Sequence, residues 1–254
     1  MGLMVILKQP DEIEKARASS RIVAEVLSVL REKVKPGVTT RELDQIAEGV
    51  AEKRGARPAF KGYRGYPHSL CASVNEEVVH GMPSGRVLKE GDIVGLDFGV
   101  LYQGFYGDAA ITLPVGRVSE EAARLIRVTE ESLYAAIDQA SSGNRLGDIS
   151  AAVQETAESA GFSVVRDFVG HGIGRNMHED PQIPNFGKKG RGIELRTGMI
   201  LAIEPMVNAG RYGVKILPDG WTVITADGSL SAHFEHSVAV TENGPEILSR
   251  LNGF

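Results

Sequence analysis

Four acidic residues stand at the borders of strongly apolar segments, and each is a candidate metal ligand. Asp97 and Glu204 each end an apolar run that predicts a buried strand, whereas Asp108 and Glu235 each precede one. A single acid of this kind more often pairs with an arginine or a backbone N–H. Four like charges that converge would repel strongly, and a pair of divalent cations is the simplest compensation. We therefore interpret the four acids together as the ligands of a metal centre.

Three of the six histidines lie in segments rich in glycine or proline. His171 stands between two glycines, which allow close backbone approach and tight placement of the imidazole. The same Gly-His-Gly pattern is also compatible with an exposed turn. His178 follows seven residues later, and His80 lies in the segment 79–83. The other three have no such setting, and we interpret them as structural or surface residues: His68, His233 and His236.

The composition is that of a soluble globular protein, with 254 residues, 42% of them hydrophobic, and a formal net charge of -5. This charge argues against a general nucleic-acid binder, which needs a concentrated basic face. One cysteine cannot form an intramolecular disulfide. The N-terminal apolar stretch is short and lacks a basic leader, so we expect neither secretion nor membrane insertion. We expect a cytoplasmic protein with no DNA partner and no membrane partner.

Apolar periodicity and capping signals predict two pairs of helices, each followed by strands. The first helix begins at Pro10 and ends before Pro36, and a capping box of Thr39 with Glu42 begins the second, which Gly55 ends. The segment 56–116 has the short apolar runs and glycine punctuation of strands, and a hairpin there would bring Asp97 and Asp108 together. Two further helices are predicted over residues 119–141 and 147–160.

The pattern of helices and strands occurs twice, which predicts an internal duplication. The glycine spacing 37 to 55 is repeated from 143 to 161, and the segment 91–97 matches 198–204, with a carboxylate at the end of each. The repeats span about 10–116 and 119–250, and the second carries an extra stretch of about 20 residues between Glu204 and Glu235. We predict one domain, 1–254, of class α+β, in which the halves pack edge to edge around a cleft.

A set of short motifs along nearly the whole chain resembles the type I methionine aminopeptidases. Their order and spacing carry the resemblance, and they are Tyr63-Arg64-Gly65-Tyr66-Pro67, Ser73-Val74-Asn75-Glu76, Val79-His80-Gly81-Met82-Pro83, Gly91-Asp92-Ile93-Val94, Asp97, Asp108, Gly170-His171-Gly172-Ile173-Gly174, His178-Glu179, Pro181, Glu204-Pro205, Asp219-Gly220-Trp221 and Glu235-His236. The resemblance implies the pita-bread fold, in which two pseudo-symmetric helix-helix-strand halves surround a central antiparallel sheet. It also implies the short, bacterial-like form of the family.

The resemblance further implies removal of the initiator methionine from nascent proteins and peptides whose second residue is small. Two divalent metal ions would be bound by Asp97, Asp108, His171, Glu204 and Glu235, of which Asp108 and Glu235 would bridge both ions. A hydroxide between the ions would attack the scissile carbonyl. Glu204 would also carry the water proton, His178 would stabilise the carbonyl oxygen, and His80 would contact the amide nitrogen. Oxygen ligands with one imidazole suit Mn, Fe, Co or Zn without choosing among them.

The substrate residues implied by the resemblance are Phe60, Tyr63, Tyr66, Cys71, His80, Met177, His178 and Trp221. An aromatic, polarizable wall suits a thioether, although the aromatic residues alone would equally be core residues. Phe60 and Met177 depart from a common bacterial pattern of Cys and Phe, which leaves fine specificity open. The resemblance also implies a structural monovalent cation near Asn75, Glu77 and Ser231. We expect a monomer that acts on nascent polypeptide N-termini, and a transient ribosome contact stays open.

Three alternative functions remain. Aminopeptidase P and prolidase share the fold and chemistry, but they normally carry a large additional N-terminal domain. A pita-bread interaction protein without catalysis should have lost metal ligands, whereas all five are present. A two-metal phosphoesterase fits the acids alone, but the sequence has no convincing Arg or Lys phosphate clamp.

Overall fold

The structure is a computed structural model that describes residues 5–250. Its α-helices form two pairs, α1 (Pro10–Lys33) with α2 (Thr40–Lys53) and α3 (Glu120–Ile137) with α4 (Leu146–Ser159). The predicted capping box of α2 is confirmed, because the Thr39 hydroxyl accepts from the N–H of Glu42 and the Glu42 carboxylate accepts from that of Thr39.

Helix α3 ends at Ile137, four residues earlier than predicted. The residues that follow continue to turn, but through i to i+3 bonds, from the N–H of Gln139 to the carbonyl of Ala136 and from Ala140 to Ile137. This tighter turn keeps the apolar pattern going past the end of the α-helix, which explains the longer prediction.

A group of strands of different lengths follows each helix pair. In chain order they are β1 (Arg57–Pro58), β2 (Cys71–Val74), β3 (Glu77–Val79), β4 (Ile93–Tyr102), β5 (Phe105–Pro114), β6 (Ser163–Val164), β7 (Val169–Gly172), β8 (Glu179–Pro184), β9 (Ile200–Ile203), β10 (Met206–Asn208), β11 (Val214–Ile216), β12 (Val223–Thr225), β13 (Ser231–His233), β14 (Glu235–Thr241) and β15 (Gly244–Ile247).

Nine of the strands form one antiparallel sheet in the order β1-β4-β5-β14-β9-β7-β8, with β2 paired to β4 and β15 paired to β14. Strands β4 and β5 form the predicted hairpin, and its two-residue turn at Gln103-Gly104 has positive φ at both positions, as a type I′ turn requires. The hairpin pairs Asp97 with Ala110 and Gly99 with Asp108, so the two acids lie near each other.

The two parts of the sheet meet along a short seam between β5 and β14. Their register pairs Glu235 with Ala110 and His236 with Ala109. The hydroxyl of Ser237 also accepts from the N–H of Asp108 and donates to its carbonyl. Strands from the first predicted repeat therefore lie on one side of the seam, and strands from the second lie on the other.

Each helix pair covers its own side of this seam. Apolar side chains of α1 and α2, such as Leu30 and Leu43, pack with β4 residues such as Leu96. Those of α3 and α4 pack with β9 and β14 in a separate cluster. The acids of the first repeat are thus backed by one apolar core and the acids of the second by another.

The extra stretch of the second repeat forms β10 to β13. Strand β10 pairs with β6 and β13, while the hairpin β11–β12 pairs with β3 of the first repeat. This segment therefore folds back across the seam. The single domain and the duplication stay predictions, and the first and last four residues of the predicted domain lie outside the described residues. None of the helices within 5–250 is long and apolar enough to cross a membrane.

Candidate metal centre and substrate cleft

The five predicted metal ligands converge at the seam between β5 and β14. Four of them belong to strands, Asp97 to β4, Asp108 to β5, His171 to β7 and Glu235 to β14, and Glu204 directly follows β9. All five line one cavity of about 150 Å³. We call these five residues the acidic centre.

The acidic centre contains polar atoms that no described protein group satisfies. Oδ1 of Asp97, Oδ1 of Asp108 and Oε1 of Glu235 are buried and have no hydrogen-bond partner within residues 5–250. Buried oxygens of this kind are costly unless a donor or a cation occupies the space between them. Their clustering marks the place that a cation would occupy.

Burial and mutual repulsion disfavour the charged forms of these acids. Burial raises the pKa of Asp97 to about 7. Burial and then the charges of Asp97 and Glu204 raise the pKa of Asp108 well above its usual range. The pKa values of Glu204 and Glu235 are raised for the same two reasons. Such a set of acids is stabilised in its charged form only by a strong positive charge.

The geometry of His171 points to the same conclusion. Its Nδ1 lies 2.9 Å from the carbonyl oxygen of Gly172, which can only accept, so Nδ1 carries the proton. Burial lowers the pKa of this histidine to about 3, so the ring is neutral and Nε2 bears a lone pair. Nε2 faces Oε1 of Glu204 at 3.4 Å. The lone pair of Nε2 and a charged Glu204 carboxylate repel each other at this distance unless a cation lies between them.

Glycines on both sides of His171 allow this placement. A Cβ at Gly170 would collide with the carbonyl oxygen of Ala202, and one at Gly172 with that of Asp180. The predicted close backbone approach at these glycines is therefore confirmed.

The residues present fit divalent metal ions. Ligand atoms of Asp108, His171 and Glu235 lie within 4.8 Å of one another. Carboxylate oxygens with one imidazole and a backbone carbonyl that fixes its tautomer are typical of first-row transition-metal sites.

The six apolar residues predicted for the substrate line the same cavity. They are Phe60, Tyr63, Tyr66, Cys71, Met177 and Trp221, and we call them the apolar pocket. The Tyr66 ring stands edge-on to Trp221 with centroids 5.1 Å apart. Its hydroxyl lies within hydrogen-bond distance of the carbonyls of Leu70 and Gly81, which holds that wall in place. The whole cavity, of about 150 Å³, is large enough to hold one small apolar group.

His80 and His178 line the same cavity as the acidic centre and the apolar pocket. The His80 ring is edge-on to Trp221 and to Phe168, and burial lowers its pKa to about 4. The His178 ring is 4.3 Å from that of His171 and stacks on Tyr63. The cleft therefore brings together every residue that the sequence predicted for it.

Three further residues of the cleft escaped the sequence reasoning. Arg64 lines the cavity and is the only lysine or arginine among the lining residues in the described part of the chain. Phe168 packs on His80. His233, interpreted from the sequence as a structural or surface residue, is 3% exposed and lies beside Glu204, so it is a buried residue and not a surface one. Arg64 belongs to a quoted motif, whereas the sequence carries no signal for the other two.

The residues of the predicted monovalent cation site are close in space. The N–H of Ser231 donates to the carbonyl of Asn75, and the Glu77 carboxylate accepts from the N–H of Val74. The cation itself stays a prediction.

Comparison with known proteins identifies the family. The sequence pattern of metallopeptidase family M24 matches residues 14–242. The chain belongs to metallopeptidase family M24. Methionine aminopeptidase from Clostridium perfringens is 59% identical to this M24 chain over 98% of the chain and 100% of the relative. Methionine aminopeptidase 1 from Bacillus subtilis is 53% identical over 98% and 100%.

Solved structures of similar proteins share the architecture of this M24 chain. Methionine aminopeptidase from Thermotoga maritima superposes with a TM-score of 0.96 at 52% identity and covers 98% of this chain and 100% of its own. Prolidase from Pyrococcus furiosus superposes with a TM-score of 0.76 at 23% identity, over 97% of this chain and 66% of its own, which shows the fold alone. The expected pita-bread fold of this M24 chain is thereby confirmed.

Proposed function

We propose that this protein is a methionine aminopeptidase that removes the N-terminal methionine from polypeptides with a small second residue. One observation carries the proposal: a single cavity of about 150 Å³ joins an acidic centre suited to metal ions with an apolar pocket. Whole-length identity to methionine aminopeptidases supports it.

The acidic centre would hold two divalent ions, of Mn, Fe, Co or Zn. Asp108 and Glu235 would bridge both, Asp97 would bind one, and His171 with Glu204 the other. When bound, such ions lower the pKa of water towards neutrality and polarise a carbonyl group. The unsatisfied buried oxygens support this ligand set.

The remaining groups would act directly on the peptide. The carboxylate of Glu204 would accept the proton of the attacking water. His178 would donate from Nε2 to the scissile carbonyl oxygen, which gains negative charge in the transition state. His80 would contact the nitrogen of the departing amide. The position of both histidines in the cavity that the acidic centre and the apolar pocket share supports these roles.

Specificity would come from the two ends of the cleft. The apolar pocket would take the methionine side chain, because its thioether packs favourably against aromatic edges and against Met177. A second residue would lie against the acidic centre beside His80, and a bulky side chain there would be excluded sterically. Phe60 and Met177 would tune this fit.

We further propose that the protein is a cytoplasmic monomer that acts on the N-termini of nascent chains. A structural monovalent cation near Asn75, Glu77 and Ser231 belongs to the same proposal. The rival functions have less support. Likeness to prolidase extends to the fold alone. A phosphoesterase needs several positively charged side chains to bind phosphate, and Arg64 is the only one among the described residues that line the cavity.

Cleavage of short peptides tests the proposed function. The protein is stripped with a chelator, checked by elemental analysis, and reloaded with Mn²⁺, Co²⁺, Fe²⁺ or Zn²⁺. We expect cleavage of Met-Ala-Ser only after reloading, and loss of activity in Glu204→Ala but not in Glu194→Ala, which changes an exposed acid. Faster cleavage of Ala-Pro peptides than of Met-Ala-Ser, or full turnover without metal, contradicts the proposal.

A further inference from the structure

The carboxylate of Glu204 lies between two imidazole rings, one at each oxygen. Oε1 faces Nε2 of His171 at 3.4 Å, and Oε2 faces Nε2 of His233 at 3.7 Å. His171 belongs to the acidic centre, whereas His233 has no part in the function argued so far. The two oxygens of Glu204 therefore have different neighbours.

The backbone of His233 is fixed by the opposite side of the seam. The Thr112 hydroxyl of β5 donates to the carbonyl of His233 at 2.8 Å and accepts from its N–H at 2.9 Å. Strand β13 pairs His233 with Met206, two residues beyond Glu204. The imidazole is therefore attached to a well-fixed stretch of backbone next to the loop that carries Glu204.

Nε2 of His233 is buried and has no hydrogen-bond partner within the described residues. A neutral imidazole carries one N–H, on either Nδ1 or Nε2. A lone pair on Nε2 would face the lone pairs of the carboxylate, and both groups would stay unsatisfied. A proton on Nε2 satisfies both after a shift of a few tenths of an ångström.

We propose that His233 is a positioning residue that directs an Nε2–H towards Oε2 of Glu204 and so leaves Oε1 for the metal ion on the His171 side. This inference rests on the proposed function, because it assigns a role to Glu204 as a ligand. The hydrogen bond would engage Oε2, so that Oε1 is the oxygen of Glu204 that would hold an ion. It also fixes the carboxylate rotation in which Glu204 meets the attacking water.

Groups that orient a metal ligand affect metal binding by about 10- to 100-fold, and this is the scale of the expected effect. The test compares His233→Leu, which removes the donor at similar volume, with His233→Gln, which retains an N–H donor. Titration calorimetry with Mn²⁺ alone should show an affinity about 10- to 100-fold lower for His233→Leu and within about threefold of the wild type for His233→Gln. The number of bound ions should stay the same in both variants.

Steady-state kinetics give a second comparison of the two variants. In His233→Leu, kcat on Met-Ala-Ser should fall by a larger factor than KM changes, and in His233→Gln kcat should recover.

A spectroscopic measurement on the wild-type protein tests the inference even if the variants do not fold. Nitrogen-15 spectra of the histidine rings in the Zn²⁺-loaded protein should assign His233 to the Nε2–H tautomer. An Nδ1–H tautomer overturns the inference, as does an unchanged Mn²⁺ affinity in His233→Leu. Loss of one whole ion in His233→Leu makes the residue a ligand and also overturns it. A wild-type protein that binds no Mn²⁺ and cleaves no Met-Ala-Ser contradicts the proposed function instead.

Discussion

The hydroxyl oxygen of Tyr63 lies 2.9 Å from Nδ1 of His178, and the two rings stack with centroids 5.4 Å apart. A tyrosine that donates to Nδ1 leaves the proton of the neutral imidazole on Nε2. Tyr63 therefore has two roles in the cleft. It forms part of the apolar pocket, and it fixes the tautomer in which His178 acts as a donor.

Tyr63→Phe should lower kcat on Met-Ala-Ser about 3- to 10-fold, because one hydrogen bond of about 1 kcal/mol no longer orients His178. KM should change little, since the aromatic wall remains. Steady-state kinetics on the Mn²⁺-loaded enzyme measure both constants. Tyr212→Phe is the matched control, because the Tyr212 ring is 49% exposed and lies outside the cleft. Equal effects of the two substitutions would contradict the role of Tyr63.

His80→Ala should separate substrate chemistry from metal binding. All five residues of the acidic centre remain, so the metal content should stay near that of the wild type. kcat should fall about 10²- to 10³-fold, by analogy with donors that act only in the transition state. Elemental analysis and kinetics on the same sample check the two parts. A variant that loses metal would make His80 a ligand, and one with unchanged kcat would leave it without a catalytic role.

Lys8→Met should reduce the free energy of unfolding by about 3 to 5 kcal/mol, because it leaves the buried carboxylate of Glu179 without its cation. Both side chains of this ion pair are 3% exposed, and Glu179 adjoins His178. Denaturant unfolding of the metal-free protein measures the change. Lys189→Met removes the exposed pair with Glu155 and should cost less than about 1 kcal/mol. Similar losses in both variants would argue against a special role for Lys8.

Mn²⁺ should stabilise the folded protein, because the acidic centre exists only when the strands are assembled. At a free concentration of 100 times the dissociation constant, the gain should be about 2.7 kcal/mol for one site. Thermal unfolding with and without Mn²⁺ measures it. Asp97→Asn should raise the stability of the metal-free protein, since it removes one of four repelling acids, and should reduce the shift that Mn²⁺ produces. A melting temperature that is the same with and without Mn²⁺ would contradict the metal assignment.

Much of the fold could be predicted from the sequence because local signals agree with it. Three such signals act within a few residues of the chain: the capping box of Thr39 and Glu42, the apolar runs around Asp97 and Asp108, and Ser119. Ser119 precedes α3, and its hydroxyl accepts from the N–H of Ala122. The cleft residues were reached differently, through the resemblance, since aromatic residues such as Tyr66 look like ordinary core residues on their own.

His233 and Lys8 could not be predicted, because their partners are set by tertiary packing. His233 meets Glu204 only through the register of β10 with β13, and this strand pair lies in the extra stretch that has no counterpart in the first repeat. Lys8 meets Glu179 across 171 positions of the chain. Nothing local to either residue marks such a contact.

The seam between β5 and β14 divides the acidic centre into two incomplete parts. Asp97 and Asp108 stand on one side, and Glu204 and Glu235 on the other. One part alone would present two acids and an open strand edge. If the two repeats descend from one ancestral segment, the smallest assembly of that segment able to enclose an ion is a two-fold symmetric pair, joined edge to edge as β5 and β14 are joined now. The present chain would then be a dimer fused into one polypeptide, and fusion would have freed each half to acquire features of its own, such as His171 and the β10 to β13 stretch in the second.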